Sequence, residues 1–166
     1  MPKKYEIDDK RHIVVKKDEV VMLEDGSHKK ATFSYPRWTC FIQQFDEIDD
    51  ALAKLVKGEP EVKLFVHIGG AWHVSVTSGV RCIDIRKFFK RDDGSIKPTR
   101  TGFAIRLREW DRVKQLAAAI NTHHPKVAEA QPCWMQGDHY NQDGAVMCNE
   151  CNPFGTWQEY FSKTLF

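Results

Sequence analysis

The sequence of 166 residues lacks any apolar run that approaches the roughly 18 residues of a membrane-spanning helix. Its beginning, MPKKYEIDDK, lacks the apolar core of a secretory signal. The chain also lacks a phosphate-binding loop, a nucleophile elbow and a paired-carboxylate pattern. The adjacent pair His123-His124 has no acidic partner at a fixed spacing. These absences predict an intracellular protein that is not an enzyme.

Cysteine is scarce, and the five cysteines are an odd number, which fits thiols or a metal site better than a disulfide framework. Cys40 and Cys82 lie within periodic segments and are predicted to be buried. The other three form the pattern Cys133-x5-His139-x8-Cys148-x2-Cys151. A CxxC pair can hold one tetrahedral ion, so the pattern predicts a Cys3His zinc site, with free thiols as the alternative. Zinc would then supply the folding energy of a segment that lacks the periodic apolar pattern of a helix or a strand.

The formal net charge of +2 hides a strong asymmetry along the chain. Residues 1–62 carry 11 Lys and Arg against 13 Asp and Glu, net −2, and residues 121–166 carry 2 against 5, net −3. Residues 63–120 carry 12 against 5, net +7. A basic segment between acidic flanks predicts a polyanionic partner for the middle of the chain.

Two segments with the same order of patterns indicate an internal repeat. In each, short runs of alternating apolar and polar residues, typical of strands, lead into a helix with an early tryptophan. These tryptophans, Trp38 and Trp110, lie 72 positions apart. The predicted fold class is α+β, with one sheet-helix repeat over 1–60, a second over 61–122 and a tail over 123–166. Uninterrupted helices are predicted within residues 34–58 and 107–120.

The long strand predicted over residues 80–89 carries the clearest binding pattern. Ile83 and Ile85 alternate with Arg86 and Phe88, so the isoleucines are predicted to meet the helix and Arg86 and Phe88 to lie on an open face. The following residues, 90–100, are predicted to be a loop with four basic side chains, Lys90 among them. Cations that follow phosphates and rings that stack on unpaired bases suit a single nucleic-acid strand. The alternative is that the rings are core residues and the cations a solvated face.

Residues 66–120 resemble the positive cofactor 4 family of RNA polymerase II coactivators. The residues that carry the resemblance, in family order, are His-Val-Ser-Val (73–76), Ile-Asp-Ile-Arg (83–86), Phe88-Phe89, Gly94, Lys97-Pro98, Arg100, Gly102 and Trp110. The resemblance implies a curved four-stranded antiparallel sheet with a C-terminal helix, paired about a two-fold axis and binding single-stranded DNA. The DNA contacts it implies are Arg86, Phe88, Phe89, Lys97 and Arg100, and it implies a nuclear location.

The second repeat departs from the family at two turns. Gly70 stands near the first turn of the repeat, where the family carries a lysine, and the turn Thr77-Ser78-Gly79 is shorter than the aromatic-bearing turn of the family. Trp72 and Arg81 are predicted to compensate for these losses as further nucleic-acid contacts.

The first repeat is predicted to be a degenerate copy that keeps the packing role and has lost most of the binding surface. An alignment of residues 21–24 with residues 83–86 places Glu24 where the second repeat has Arg86. Lys29 and Lys30 are interpreted as solvated lysines, with phosphate contact as the alternative.

These patterns favour a non-enzymatic single-stranded DNA-binding protein that resembles a transcriptional coactivator and needs no cofactor for DNA binding. A protein-interaction or scaffold subunit is the rival hypothesis, since the first repeat and the tail are acidic. Single-stranded RNA is a third alternative, because stacking and phosphate contacts do not distinguish the sugar. Binding to a membrane is not expected.

The apolar helix faces of two small sheets need a partner surface. Either the two repeats pair within the chain as a pseudo-two-fold dimer, or two chains form a homodimer through like repeats. The connection over residues 58–61 is short, and this length favours the homodimer.

Overall fold

The computed structural model describes residues 2–135 and 148–154. These residues form two four-stranded antiparallel sheets, each followed by helix, so the predicted α+β class with two sheet repeats is confirmed. The first sheet has the order β1 (Lys3–Glu6), β2 (Arg11–Lys16), β3 (Glu19–Glu24) and β4 (Lys30–Ser34). The second has the order β5 (Lys63–Gly69), β6 (Trp72–Thr77), β7 (Cys82–Lys90) and β8 (Ile96–Arg106).

The helix of the first repeat is divided in two, whereas the sequence predicts one helix. It consists of α1 (Tyr35–Gln43) and α2 (Phe45–Val56). The break lies at Gln44, whose N–H donates to the Phe41 carbonyl three residues earlier. Ser34 is the N-cap of α1, since its Oγ accepts the Arg37 N–H at 3.3 Å.

The second sheet leads into a 3-10 turn (Leu107–Glu109) and then α3 (Trp110–His123). A short helix α4 (Pro125–Ala128) and a 3-10 turn at Cys133–Met135 begin the tail. None of the helices in the described ranges combines the length and the apolar character that a membrane span requires.

The two repeats share one hydrophobic core rather than holding one each. Each early tryptophan is buried and donates its indole N–H to a helix of the other repeat. Trp38 donates to Asn121 Oδ1 at 3.3 Å, and Trp110 donates to Asp49 Oδ1 at 2.7 Å. The apolar helix face of each repeat is therefore covered by the other repeat of the same chain. The short connection allows this pairing because α2 packs directly beside β5. A homodimer stays a prediction.

Arg11 is a second link between the repeats, and the sequence gives no hint of it. Its side chain leaves β2 on the core side of the first sheet and reaches the second repeat. There its guanidinium lies 4.0 Å from the centre of the Phe103 ring, 3.0 Å from Glu109 Oε2, and donates to the Ala104 carbonyl. Glu24 of its own sheet lies 3.0 Å from Nη1. A charge that is only 3% exposed is tolerated here because every side of it meets a polar or aromatic group.

The burial pattern of the first sheet shifts the alignment of the two repeats by one residue from the alignment that the sequence predicts. The fully buried residues that face the core are Val20 and Met22 in β3 and Ile83 and Ile85 in β7. Leu23 therefore occupies the place of Arg86, and the prediction of Glu24 at that place is wrong. Residues 20–23 are all apolar, so the sequence alone does not show which of them face inward.

Candidate nucleic-acid interface

The second sheet presents one face to the core and one open face, as the alternation in β7 predicts. Ile83 and Ile85 are fully buried against the core. Arg86 pairs in register with His73 of β6 and with Gly102 of β8. The side chains of Arg86 and His73 lie on the opposite side, here called the open face. Phe88 contacts His73 and so lies on the same face. The assignment of Arg86 and Phe88 to the open face is confirmed.

Arg86 is held flat on this face by its neighbours. Its Nε and Nη2 donate to Asp84 at 3.0 and 2.9 Å, and Nη1 donates to the Thr99 carbonyl at 3.1 Å. The carboxylate of Asp84 raises the pKa of Arg86, which keeps the guanidinium charged. Gly102 lies beneath it, and a Cβ there would come within 2.7 Å of the guanidinium carbon. Gly102 is therefore required for Arg86 to lie against β8.

A basic groove runs along the open face of β8 and includes side chains of both repeats. It encloses about 310 Å³ and is lined by Arg11, His28, Lys29, Arg86, Arg100, Gly102, Ala104 and Arg106. The first repeat contributes Lys29 through its β3–β4 turn, which reaches the groove because β4 lies beside β8. Lys29 therefore has a position suited to phosphate contact, the alternative that the sequence left open.

The cations of the groove differ in how far they are neutralised. Arg86 is paired with Asp84, Lys29 lies 3.9 Å from Glu24, and Arg106 lies 3.8 Å from Glu109. Arg100 is exposed, and no carboxylate lies within 4.0 Å of it among the described residues. Arg100 is therefore the cation of the groove that is most available to an anion.

β8 begins earlier than the sequence predicts. Residues 96–106 form the strand, so Lys97 and Arg100 lie on a strand rather than in a loop. The ladder with β7 carries an irregularity between Arg86 and Phe88, which sets Arg86 opposite Gly102 and Phe88 opposite Pro98. Lys97 is exposed and stands opposite Phe89. Pro98 lies within β8, which is an edge strand, where proline is tolerated.

An aromatic cluster lies beside the groove on the same face. It comprises Phe65, His73 and Phe88. The Phe65 and His73 rings stack at 4.6 Å between centroids, and Phe88 meets them edge-on at 5.4 and 4.9 Å. Phe65 is 45% exposed, so its ring can receive another ring. Sequence reasoning missed Phe65 and His73, although alternation along β5 and β6 could have placed both on the open face.

Phe89 and Lys90, two of the predicted nucleic-acid contacts, lie at the end of β7. Phe89 is 43% exposed, on the other side of the strand from Phe88, beside a shallow pocket that Lys90 and residues 91–93 also line. Lys90 is half-buried, and its Nζ donates to the Phe154 carbonyl of the tail at 3.1 Å.

Trp72 does not have the surface position that a stacking role needs. It is only 7% exposed and belongs to the hydrophobic core, so its ring is not available to stack on a base. Arg81 is exposed immediately before β7 and is not among the residues that line the basic groove. The sequence predicts Trp72 as a replacement for the family contacts that are missing at the two turns, but its side chain points to the core.

His73 makes the stability of the folded chain depend on pH. Burial, with a smaller effect of His67, lowers the pKa of His73 from its ordinary 6.5 to about 4. The unfolded chain therefore binds this proton near pH 6.5 and the folded chain only near pH 4, so stability is complete above pH 6.5 and is lost as the pH falls towards 4.

We expect His73→Phe to remove this dependence, because phenylalanine keeps the stacked ring without the proton. The wild-type free energy of unfolding should fall by up to about 3 kcal/mol more than that of the variant between pH 7 and pH 4. Urea denaturation at several pH values measures both. Parallel pH profiles would contradict the assignment of a buried neutral imidazole.

Three of the four predicted zinc ligands come together in the structure. The sulfur atoms of Cys133, Cys148 and Cys151 all lie within 4.8 Å of one another, close enough to hold a metal ion. Burial raises the pKa of the thiols of Cys133 and Cys151. The predicted fourth ligand, His139, lies outside the described residues. Cys40 is buried as predicted, whereas Cys82 is only half-buried.

Comparisons with protein-family models, with curated proteins and with solved structures found no match to this chain.

Proposed function

We propose that this chain binds single-stranded nucleic acid, DNA in the first place, on the open face of its second repeat. The observation that carries the proposal is that the basic groove and the aromatic cluster share this face, with Arg86 between them. The motif resemblance to the positive cofactor 4 coactivators supports the same surface, and with it a role in transcription in the nucleus.

Binding combines electrostatic capture with stacking. Phosphates follow the exposed cations of the groove, of which Arg100 and Lys29 are the most accessible. Unpaired bases stack on Phe65 and Phe88, each ring contributing on the order of 1–3 kcal/mol. A duplex hides the base faces, so single strands bind better, and stacking gives little sequence preference because every base has a π-face.

The first repeat supports this surface rather than providing a second one. Leu23 stands where the second repeat has Arg86, so the equivalent face lacks the central cation. The repeat instead contributes Lys29 to the groove and half of the shared core. The protein therefore works as an intrachain pseudo-dimer with one principal binding face.

A titration of labelled oligonucleotides tests the proposal. We expect a single-stranded DNA to bind more tightly than the duplex of the same sequence, and the affinity to fall steeply between about 50 and 200 mM salt as counterions are released. An RNA strand of the same sequence in the same series identifies the preferred sugar. Equal affinity for the single strand and the duplex, or an affinity that does not change with salt concentration, would refute the proposed mode of binding.

We further propose that the cysteine cluster holds a structural zinc ion. Cys133, Cys148 and Cys151 supply three thiolates, and His139 is the predicted fourth ligand. Three sulfurs in one place suit a soft, tetrahedral ion better than a hard one such as magnesium. When bound, the ion supplies folding energy to the tail and no step of nucleic-acid binding.

Metal analysis checks this site. We expect about one zinc per chain, and Cys148→Ser should lose it, whereas Cys82→Ser, which changes a cysteine outside the cluster, should retain it. Because the thiols must lose their protons to bind the ion, acid should also release it. Protein prepared without chelator that holds no zinc and has freely reactive thiols at all three positions would leave only the free-thiol alternative.

A further inference from the structure

The loop between Cys148 and Cys151, residues 148–151 and here called the cysteine knuckle, is anchored to both repeats by one residue. Glu150 accepts from Arg37 of α1, with Nε and Nη2 at 3.1 and 2.8 Å from Oε1 and Nη2 at 3.0 Å from Oε2. Its backbone carbonyl accepts the Gly70 N–H of the second repeat at 2.8 Å. A charge-assisted, two-pronged pair is among the stronger polar contacts at a protein surface.

The glycine turn between β5 and β6 is shaped to receive this knuckle. Gly69 and Gly70 both have positive φ angles, 125° and 58°. A Cβ on Gly69 would collide with the carboxylate of Glu150, and a Cβ on Gly70 would lie 2.6 Å from Arg37 Nη2. The turn that departs from the coactivator pattern is therefore the docking place of the tail.

Beyond the knuckle the chain crosses the open face. Residues 151–154 line a cavity of about 190 Å³ together with His67, His73 and Ile96 of the second sheet. Lys90, a predicted phosphate contact, donates to the carbonyl of Phe154. The segment thus lines one cavity with a ring of the aromatic cluster, His73, and accepts a hydrogen bond from a cation of the same face.

A metal at the cysteine cluster would fix this segment in place. The chain before Cys133 is already anchored, since the hydroxyl of Thr39 in α1 donates to the Ala130 carbonyl at 2.8 Å. Binding of one ion by Cys133, Cys148 and Cys151 ties the knuckle to that anchored point. An ion at this cluster would therefore add to the contacts of Glu150 that hold residues 151–154 on the open face.

We propose that the cysteine knuckle is a metal-dependent clamp, which holds residues 151–154 over the nucleic-acid face and weakens strand binding when metal is bound. The clamp rests on the proposed function of that face. Coupling between two sites is reciprocal, so a bound strand must weaken metal binding by the same factor.

The test compares zinc-loaded and chelator-treated full-length protein in titrations with a single-stranded oligo-dT. We expect the treated protein to bind about fivefold more tightly, at the lower end of the usual range for coupled sites. Saturating oligo-dT should in turn speed transfer of zinc to a chromogenic chelator, a readout that does not depend on strand affinity. The thermal transition of the treated protein reports that the two repeats remain folded.

Glu150→Gln separates docking from metal binding. It removes the ion pair with Arg37 but no sulfur ligand, so we expect one zinc per chain and tighter oligo-dT binding than wild type. Glu129→Gln removes the same charge from an exposed position of the tail and serves as the control, expected to leave both unchanged. An oligo-dT affinity that depends on salt but is the same with and without zinc, and the same in wild type and Glu150→Gln, overturns the clamp alone. No strand binding in any form overturns the proposed function and the clamp with it.

Discussion

Arg11→Ala should lower the free energy of unfolding by about 3–5 kcal/mol, because it leaves the buried carboxylate of Glu109 without its partner across the junction of the repeats. The side chain also covers the Phe103 ring, so packing is lost together with charge. Urea denaturation followed by tryptophan fluorescence measures the change. Since the repeats share one core, wild type should unfold in a single transition.

Two variants control for this effect. Arg108→Ala removes the same kind of side chain from an exposed position and should change stability by less than about 0.5 kcal/mol. Adding Glu109→Gln to Arg11→Ala removes the stranded charge and should restore part of the loss. A cost for Arg11→Ala no greater than that for Arg108→Ala would show that Arg11 does not join the repeats.

Arg100→Glu should weaken single-stranded DNA binding about tenfold at low salt, equivalent to about 1.4 kcal/mol. The change replaces the most available cation of the basic groove with an anion that repels phosphate. It should also flatten the dependence of log affinity on log salt by about 0.7, the value for one lost phosphate contact on a single strand. Fluorescence anisotropy at three or more salt concentrations gives both quantities.

Lys17→Glu is the matched control for this charge reversal. Lys17 is exposed in the β2–β3 turn, at the end of the first sheet away from the groove. It alters the net charge identically, so a loss of affinity equal to that of Arg100→Glu would mean that overall charge, and not this groove, attracts the strand.

Much of the fold follows from local patterns in the sequence. Ile83 and Ile85 alternate with charged residues, so their inward orientation is fixed by the pleat of the strand. In β3 no such alternation exists, so the sequence predicts Glu24 at the place of Arg86 in the first repeat, where the structure has Leu23. Arg11 was missed for a different reason, since a charged residue in a strand is normally a surface residue.

The candidate site is less accessible to sequence reasoning than the fold. Arg86 and Arg100 were found through the motif, but Lys29 enters the groove only because β4 lies beside β8, a long-range placement that no local pattern contains. The docking of Glu150 on the Gly69–Gly70 turn likewise joins residues about 80 positions apart. Two adjacent glycines predict a turn, and only the packed structure shows what they make room for.

The shared core makes the association of the two halves independent of protein concentration. Separate subunits come apart on dilution, whereas two halves of one polypeptide remain at a fixed and high effective concentration. Their stoichiometry is also fixed at one of each, so every molecule pairs one half that has Arg86 with one half that has Leu23 in its place. A substitution in one half is then not repeated in the other half, as it would be between identical subunits.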